Sequence, residues 1–187
     1  MSAFDHFDFL APIYDRVIKP KPPVDLLEHL EINNTSQVLD VGGGTGRIAQ
    51  TLLPHAAGIT IVDLSFKMLQ EAMLKPGLTG IMAGSEYLPY ASGTFDAVLM
   101  VDALHHVIDQ PLTLKELFRV VKPGGTLVVE EPDISTFPVK LIAIAEKLFG
   151  MRSHFLSGEQ IAGMFETCCK ESQVFRKEYT VWVVMKK

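Results

Sequence analysis

The chain has 187 residues, 48% of them hydrophobic, with 17 Lys and Arg against 22 Asp and Glu for a net charge of −5. That length and apolar content suit one domain with a sizeable core. The acidic balance argues against a nucleic-acid groove as the main surface, because phosphate binding needs clustered Lys and Arg.

Met1 to Leu10 carries Asp5, His6 and Asp8 and lacks the basic start and apolar stretch of a signal peptide. Residues 1–35 read as an N-terminal cap segment broken by Pro12, Pro20, Pro22 and Pro23. Within it, Pro23 to Leu30 is a predicted helix with proline in its first turn. Residues 36–131 form the predicted core. Gln37 to Val41 is a short buried strand, followed by a helix from Thr45 to Leu53 that stops before Pro54. Gly58 to Val62 is a second strand closed by Asp63, and Ser65 is placed to cap a helix from Phe66 to Leu74. Thr79 to Met82 is a weaker third strand, and Ser85 to Gly93 a loop around Pro89. Phe95 to Val101 is a fourth, nearly all-apolar strand. Pro111 to Val121 is helical and ends at the turn Lys122-Pro123-Gly124-Gly125, before a fifth strand from Thr126 to Glu130.

Residues 132–170 are predicted acceptor-side helices: an apolar one from Phe137 to Phe149, then one to about Thr167 opened by the capping-box spacing of Ser157-Gly158-Glu159-Gln160. The adjacent Cys168 and Cys169 exclude a disulfide framework, which fits a reducing compartment. Residues 171–187 read as a C-terminal antiparallel hairpin of two short strands, 173–176 and 180–185. No apolar run reaches the roughly 20 residues of a membrane span. The longest, 137–150, is interrupted by Lys140, Glu146 and Lys147. A cytoplasmic protein is the expectation.

Five apolar strands alternating with helices predict an α/β, Rossmann-like, doubly wound and mostly parallel sheet. Ligands of such sheets sit beyond the carboxyl ends of the strands. Asp40, Asp63, Gly84 and Asp102 lie at such ends.

The segment Val38-Leu39-Asp40-Val41-Gly42-Gly43-Gly44-Thr45-Gly46 is the strand-to-helix turn of a cofactor loop. Asp63 stands 21 residues after Gly42, where a carboxylate accepts both hydroxyls of a ribose. The dinucleotide spacing G-x-G-x-x-G would need glycine at 47, where this chain has Arg47. Glycines at 42, 44 and 46 instead widen the loop for a carboxylate and an amine. S-adenosylmethionine (SAM) has a ribose, an adenine and an amino-acid end.

Four pieces then carry a resemblance: Val38 to Gly46; Ile61-Val62-Asp63; Leu88-Pro89-Tyr90 with Phe95-Asp96-Ala97-Val98; and Arg119 to Gly125. The chain resembles a class I SAM-dependent methyltransferase of the small-molecule type. Its opening, Phe7 to Asp15, is similar to that of the methyltransferases of ubiquinone and menaquinone synthesis. The resemblance implies a seven-stranded sheet and implies roles. Asp40, Gly42 and Gly44 would hold the amino-acid end, or Asp40 would tie down the N–H groups of the glycine loop. Asp63 would hold the ribose or cap the next helix, and Leu64 would pack on adenine. The family often has an acidic residue where this chain has Gly84-Ser85, so adenine would rest on Ser85 or on Glu86. Asp102 and the residues up to His105 would line the sulfonium side, with His105 as a general base or as pocket lining. Tyr14 would close over the cofactor or pack in the core, and His154 and Phe155 would face the acceptor. Adjacent histidines point apart and one carboxylate does not complete a metal set, so no metal is expected.

The activity implied is methyl transfer from SAM, leaving S-adenosylhomocysteine, to a small apolar or aromatic acceptor. A nicotinamide-binding oxidoreductase and a non-catalytic SAM-binding module are the alternatives. Expected partners are a small-molecule acceptor and no nucleic acid. Peripheral membrane contact stays open, and so does the choice between monomer and homodimer.

Overall fold

The computed structural model describes residues 23–148, 153–165 and 171–187. Tyr14, Cys168 and Cys169 lie outside them, as do most of the cap segment and the end of the helix expected to reach Thr167. The described elements run α1 (Val24–Leu30), β1 (Gln37–Val41), α2 (Arg47–Leu52), β2 (Gly58–Asp63), α3 (Phe66–Met73), β3 (Leu78–Met82), β4 (Phe95–Val101), α4 (Gln110–Val120), β5 (Val121–Pro132), α5 (Phe137–Leu148), α6 (Gly158–Gly163), β6 (Ser172–Lys177) and β7 (Thr180–Lys186). The seven strands form one sheet in the order β3-β2-β1-β4-β5-β7-β6. β1 to β5 are parallel, and β7 runs antiparallel to both β5 and β6. The doubly wound expectation and its antiparallel hairpin are borne out.

Successive strand residues point to opposite faces, and the chain fills both. Leu39, Val41, Met100 and Val129 pack with Leu114 and Leu117 of α4 and Ile161 of α6. Val38, Leu99, Ile61 and Val128 pack with Leu26 and Leu30 of α1, Leu52 of α2 and Ala72 of α3. Continuous apolar strands follow from this two-sided burial.

Two details differ from expectation, and a third is one that apolar content leaves open. Helix α2 ends at Leu52 and gives way to a 3-10 turn, Leu53–His55, containing Pro54, whose ring removes a helical N–H. The turn Lys122 to Gly125 is absorbed into β5 as an irregularity: Val121 pairs with Phe95 and Thr126 with Ala97. Asp96 anchors it, accepting from Lys122 Nζ and Gln37 N at 2.8 Å each. Finally, α5 is not a core helix. Only Val139 is buried, while Phe137, Leu141, Ile142, Ile144 and Leu148 are all about half exposed or more.

The topological switch lies between β1 and β4, because chain connections leave in opposite directions from there. The crevice beyond those strand ends receives the β1–α2, β2–α3, β4–α4 and β5–α5 loops.

Candidate functional site

The β1–α2 loop is built from backbone. Gly42 and Gly44 take φ of 72° and 55°, a region that disfavours side chains. Gly42 N donates to Val62 O at 2.7 Å, extending the β1–β2 pairing into the loop. The glycines serve different ends. A Cβ at Gly42 would stand 2.6 Å from Ala103 Cβ, and one at Gly43 would stand 2.7 Å from the Asp40 carboxylate. At Gly44 nothing lies nearer than 3.9 Å. Gly42 and Gly43 are therefore small so that protein can pack on them, whereas Gly44 leaves an open face.

Asp63, at the end of β2, accepts from Gly44 N through Oδ2 and from Ser65 N through Oδ1, both at 2.8 Å. Ser65 is the cap of α3, accepting from Met68 N. So it is Asp63 that ties down the glycine loop. Leu64 beside it is 66% exposed. Asp40 lies under the loop, 1% exposed, and its Oδ2 has no hydrogen-bond partner among the described residues. Burial pushes its pKa up to about 7, with Arg47 opposing and Asp63 adding to the rise.

At the third strand end, Ser85 is buried and its hydroxyl shares a 3.1 Å hydrogen bond with Thr113 Oγ1 of α4. It faces the protein. Glu86 Oε2 comes to 3.3 Å of the position a Gly84 Cβ would take, with Leu64 at 3.9 Å. Glu86 thus occupies the room vacated by an acidic side chain at 84.

The opposite wall is built from side chains. Asp102, at a φ of 50°, pairs with Arg47 Nη2 at 3.3 Å and so links the β4 end to α2. The 3-10 turn Leu104–His106 follows. His105 is 5% exposed and its Nδ1 meets Glu131 Oε2 at 2.5 Å. Glu131 Oε1 accepts from Ala103 N and Leu104 N at 3.0 and 2.8 Å. One carboxylate at the end of β5 therefore holds both the turn and the imidazole. Burial lowers the His105 pKa, but the Glu131 hydrogen bond and charge, then Glu146 and Asp102, outweigh it and hold the pKa above the usual value. Burial and neighbouring His105 depress His106 to about 4.

Segment 153–156 folds onto this turn. His154 N donates to His105 O at 2.7 Å, Gln110 Nε2 bridges Leu104 O and His154 O, and the Phe155 ring stacks on His105 at 4.3 Å. His106 tilts against His105 at 4.0 Å, and its Nδ1 meets Ser153 Oγ at 3.3 Å. Sequence reasoning singled out His105, His154 and Phe155 but missed Glu131 and Glu146. The signal for Glu131 is an acidic residue ending an otherwise apolar strand, the same signal that marked Asp40 and Asp63.

The chain matches the methyltransferase domain family over residues 39–129. It is 31% identical over 174 residues to 2-methyl-6-phytyl-1,4-hydroquinone methyltransferase 1, chloroplastic, of Oryza sativa subsp. japonica, covering 87% of this chain and 53% of that protein. It is 32% identical over 147 residues to the ubiquinone/menaquinone biosynthesis C-methyltransferase UbiE of Syntrophotalea carbinolica, covering 71% of this chain and 62% of that one. The chain thus spans little more than half the length of these curated relatives. In fold it is similar to a chain of the complex between the Haloferax volcanii Trm112 methyltransferase activator and a methyltransferase, with a TM-score of 0.84, 18% identity and 99% of each chain covered.

Proposed function

The chain belongs to the class I SAM-dependent methyltransferases, and from that premise we propose that it moves a methyl group from SAM to a small apolar or aromatic acceptor of the quinol type. The observation that carries this reading is the division of labour across the β1/β4 crevice: one wall suits a nucleoside with an amino-acid end, the other an apolar reactant.

The residues present fit SAM. Asp63 stands at the end of β2 with its carboxylate beside Gly44, where a ribose diol would lie, Leu64 offers an exposed apolar face to adenine, and Glu86 offers a carboxylate to its amino edge in place of Ser85. Gly44 leaves room for the methionine portion. The unpartnered Oδ2 of Asp40 suits its ammonium group, and the ionised carboxylate is favoured once a positive charge is beside it. SAM supplies a methyl group already activated on a sulfonium. The chain's part is then alignment and exclusion of water.

On the acceptor wall, Glu131 fixes His105 with Nδ1 toward the carboxylate, which leaves Nε2 as the basic atom for an acceptor proton. Phe155, stacked on His105, supplies surface for a hydrophobic ring. Both curated relatives carry quinone or hydroquinone names, which supports an acceptor of that class.

Calorimetry with SAM and with NAD tests the donor. SAM should bind and NAD should not, and the reverse would overturn the reading in favour of an oxidoreductase. Production of S-adenosylhomocysteine across a panel of unmethylated quinols tests the acceptor. SAM binding without turnover on any of them would leave a binding module.

A further inference from the structure

We propose that His105, His106 and Glu146 form a divalent-metal site of the two-imidazole, one-carboxylate type on the acceptor wall. One ligand atom of each lies within 4.8 Å of the others. The histidines come from the turn after β4, and the carboxylate reaches them from α5, 40 residues further along the chain. Adjacent histidines do point apart along an extended chain. Here the 3-10 turn Leu104–His106 brings the two rings to 4.0 Å.

Two further observations point to a ligand rather than to packing. The first is Glu131. A metal-bound histidine nearly always gives its other ring N–H to a carboxylate or carbonyl, which sets the tautomer and orients the ring. Glu131 does this to His105 at 2.5 Å and is itself held by two backbone N–H groups. Nε2 of His105 is then the coordinating atom. The second is Glu146, whose Oε2 is buried with no hydrogen-bond partner among the described residues. A buried carboxylate oxygen left unpaired is costly, and a cation between it and the imidazoles removes that cost.

Two histidines and one carboxylate suit zinc-class ions, and three protein ligands leave a coordination position open. Ligand atoms about 2.0–2.2 Å from a tetrahedral ion sit about 3.4 Å apart, so binding would bring the three ligand atoms from within 4.8 Å to about that spacing. The open position would take an oxygen of the acceptor. That use rests on the methyltransferase reading, while the site itself does not. In the metal-bound form the ion, with the acceptor oxygen at its open position, would favour loss of the acceptor proton in place of His105 Nε2; the imidazole is the base only in the metal-free protein.

The experiment is a titration of the chelator-treated protein with Co(II), read by visible absorption and by bound metal per chain. The Cys168→Ser/Cys169→Ser form serves as a second protein free of thiolates. One equivalent should bind with the intense bands of a tetrahedral nitrogen–oxygen site, in both proteins. His106→Ala and Glu146→Gln should each weaken binding by at least about 10-fold, with unchanged circular dichroism and unchanged SAM affinity by calorimetry. Absence of stoichiometric binding, loss of binding with the cysteines, or undiminished binding in both variants would overturn the proposal. Failure of the parent to bind SAM both with and without metal would instead count against the donor reading.

Discussion

The two walls of the crevice are made by different means. The wall over β1 and β2 is backbone and two carboxylates from neighbouring loops: Gly42 to Gly44, Asp40 and Asp63. The wall over β4 and β5 is a net of side chains from four separated segments: His105 and His106, Glu131, Glu146, and Ser153 to Phe155. The first is compact in sequence and shaped for one ligand. The second draws on contacts 26 to 47 residues apart. On the proposed reading, donor and acceptor recognition would be separately encoded, and the two walls touch at Gly42 against Ala103.

Substitution at that contact should break both walls at once. Gly42→Val places a Cβ 2.6 Å from Ala103 Cβ at a φ of 72°, so overpacking and backbone strain add to about 3 kcal/mol or more. Denaturant unfolding should show the loss, with no measurable SAM binding in the refolded protein. A full-strength binder with parental stability would mean the walls do not depend on one another there.

Asp63→Ala should damage the donor wall alone. It removes the acceptor for Gly44 N and Ser65 N as well as for the ribose, and about 2–3 kcal/mol corresponds to about 100-fold in SAM affinity. Calorimetry would measure it. The mirror experiment is Glu131→Gln, which keeps an oxygen for Ala103 N and Leu104 N but weakens the hold on His105. We expect turnover to fall about 10- to 100-fold while SAM affinity stays within about 3-fold. Equal loss of both would argue against separate walls.

A pH series on Asp40 sharpens the donor side. Its pKa is raised from 3.8 to about 7 in the fold, so between those values the folded chain binds more protons than the unfolded one. Stability of the free protein should therefore fall as pH rises from about 4 to about 7 and level off above. Three pKa units set an upper limit of about 4 kcal/mol, reduced by relaxation around the charge. SAM affinity should move the opposite way, rising with pH to about 7 as its ammonium group favours the carboxylate. Asp40→Asn should flatten both profiles.

The smallest effect belongs to α5. Ile142 and Ile144 are 49% and 57% exposed, so replacing both with Lys should change stability by less than about 1 kcal/mol and leave SAM affinity alone. Turnover of an apolar acceptor should fall several-fold. Unchanged turnover would remove α5 from the acceptor wall.

These walls also differ in how legible they are in sequence. Strand order, the glycine turn and the acidic strand ends could all be read locally, because a period-2 apolar run and a glycine cluster carry their meaning within ten residues. Ser65 as a helix cap and the capping box at Ser157 were equally readable. What escaped is pairing across the chain. Nothing near His105 announces Glu131, 26 residues on, or Glu146 on the next helix. Ser85 looked like a ligand-facing hydroxyl because its partner, Thr113, belongs to a distant helix face. Whether helix α5 is covered was not legible either, because apolar content alone does not say whether a neighbour packs on it.

The sheet order has one more consequence, in the time domain. β7 is the last of the described strands in chain order, yet it lies between β5 and β6, and its residues Thr180 to Met185 are all buried. Until it arrives, the long β5 shows a bare row of peptide groups and apolar side chains, a template for pairing with other chains. β6 cannot shield it, since among the described residues β6 pairs only with β7. A nascent chain can therefore complete both walls of the crevice on β1, β2, β4 and β5 while one edge stays open. Once β7 docks, the exposed and mostly polar β6 becomes the outer border and ends that vulnerable interval.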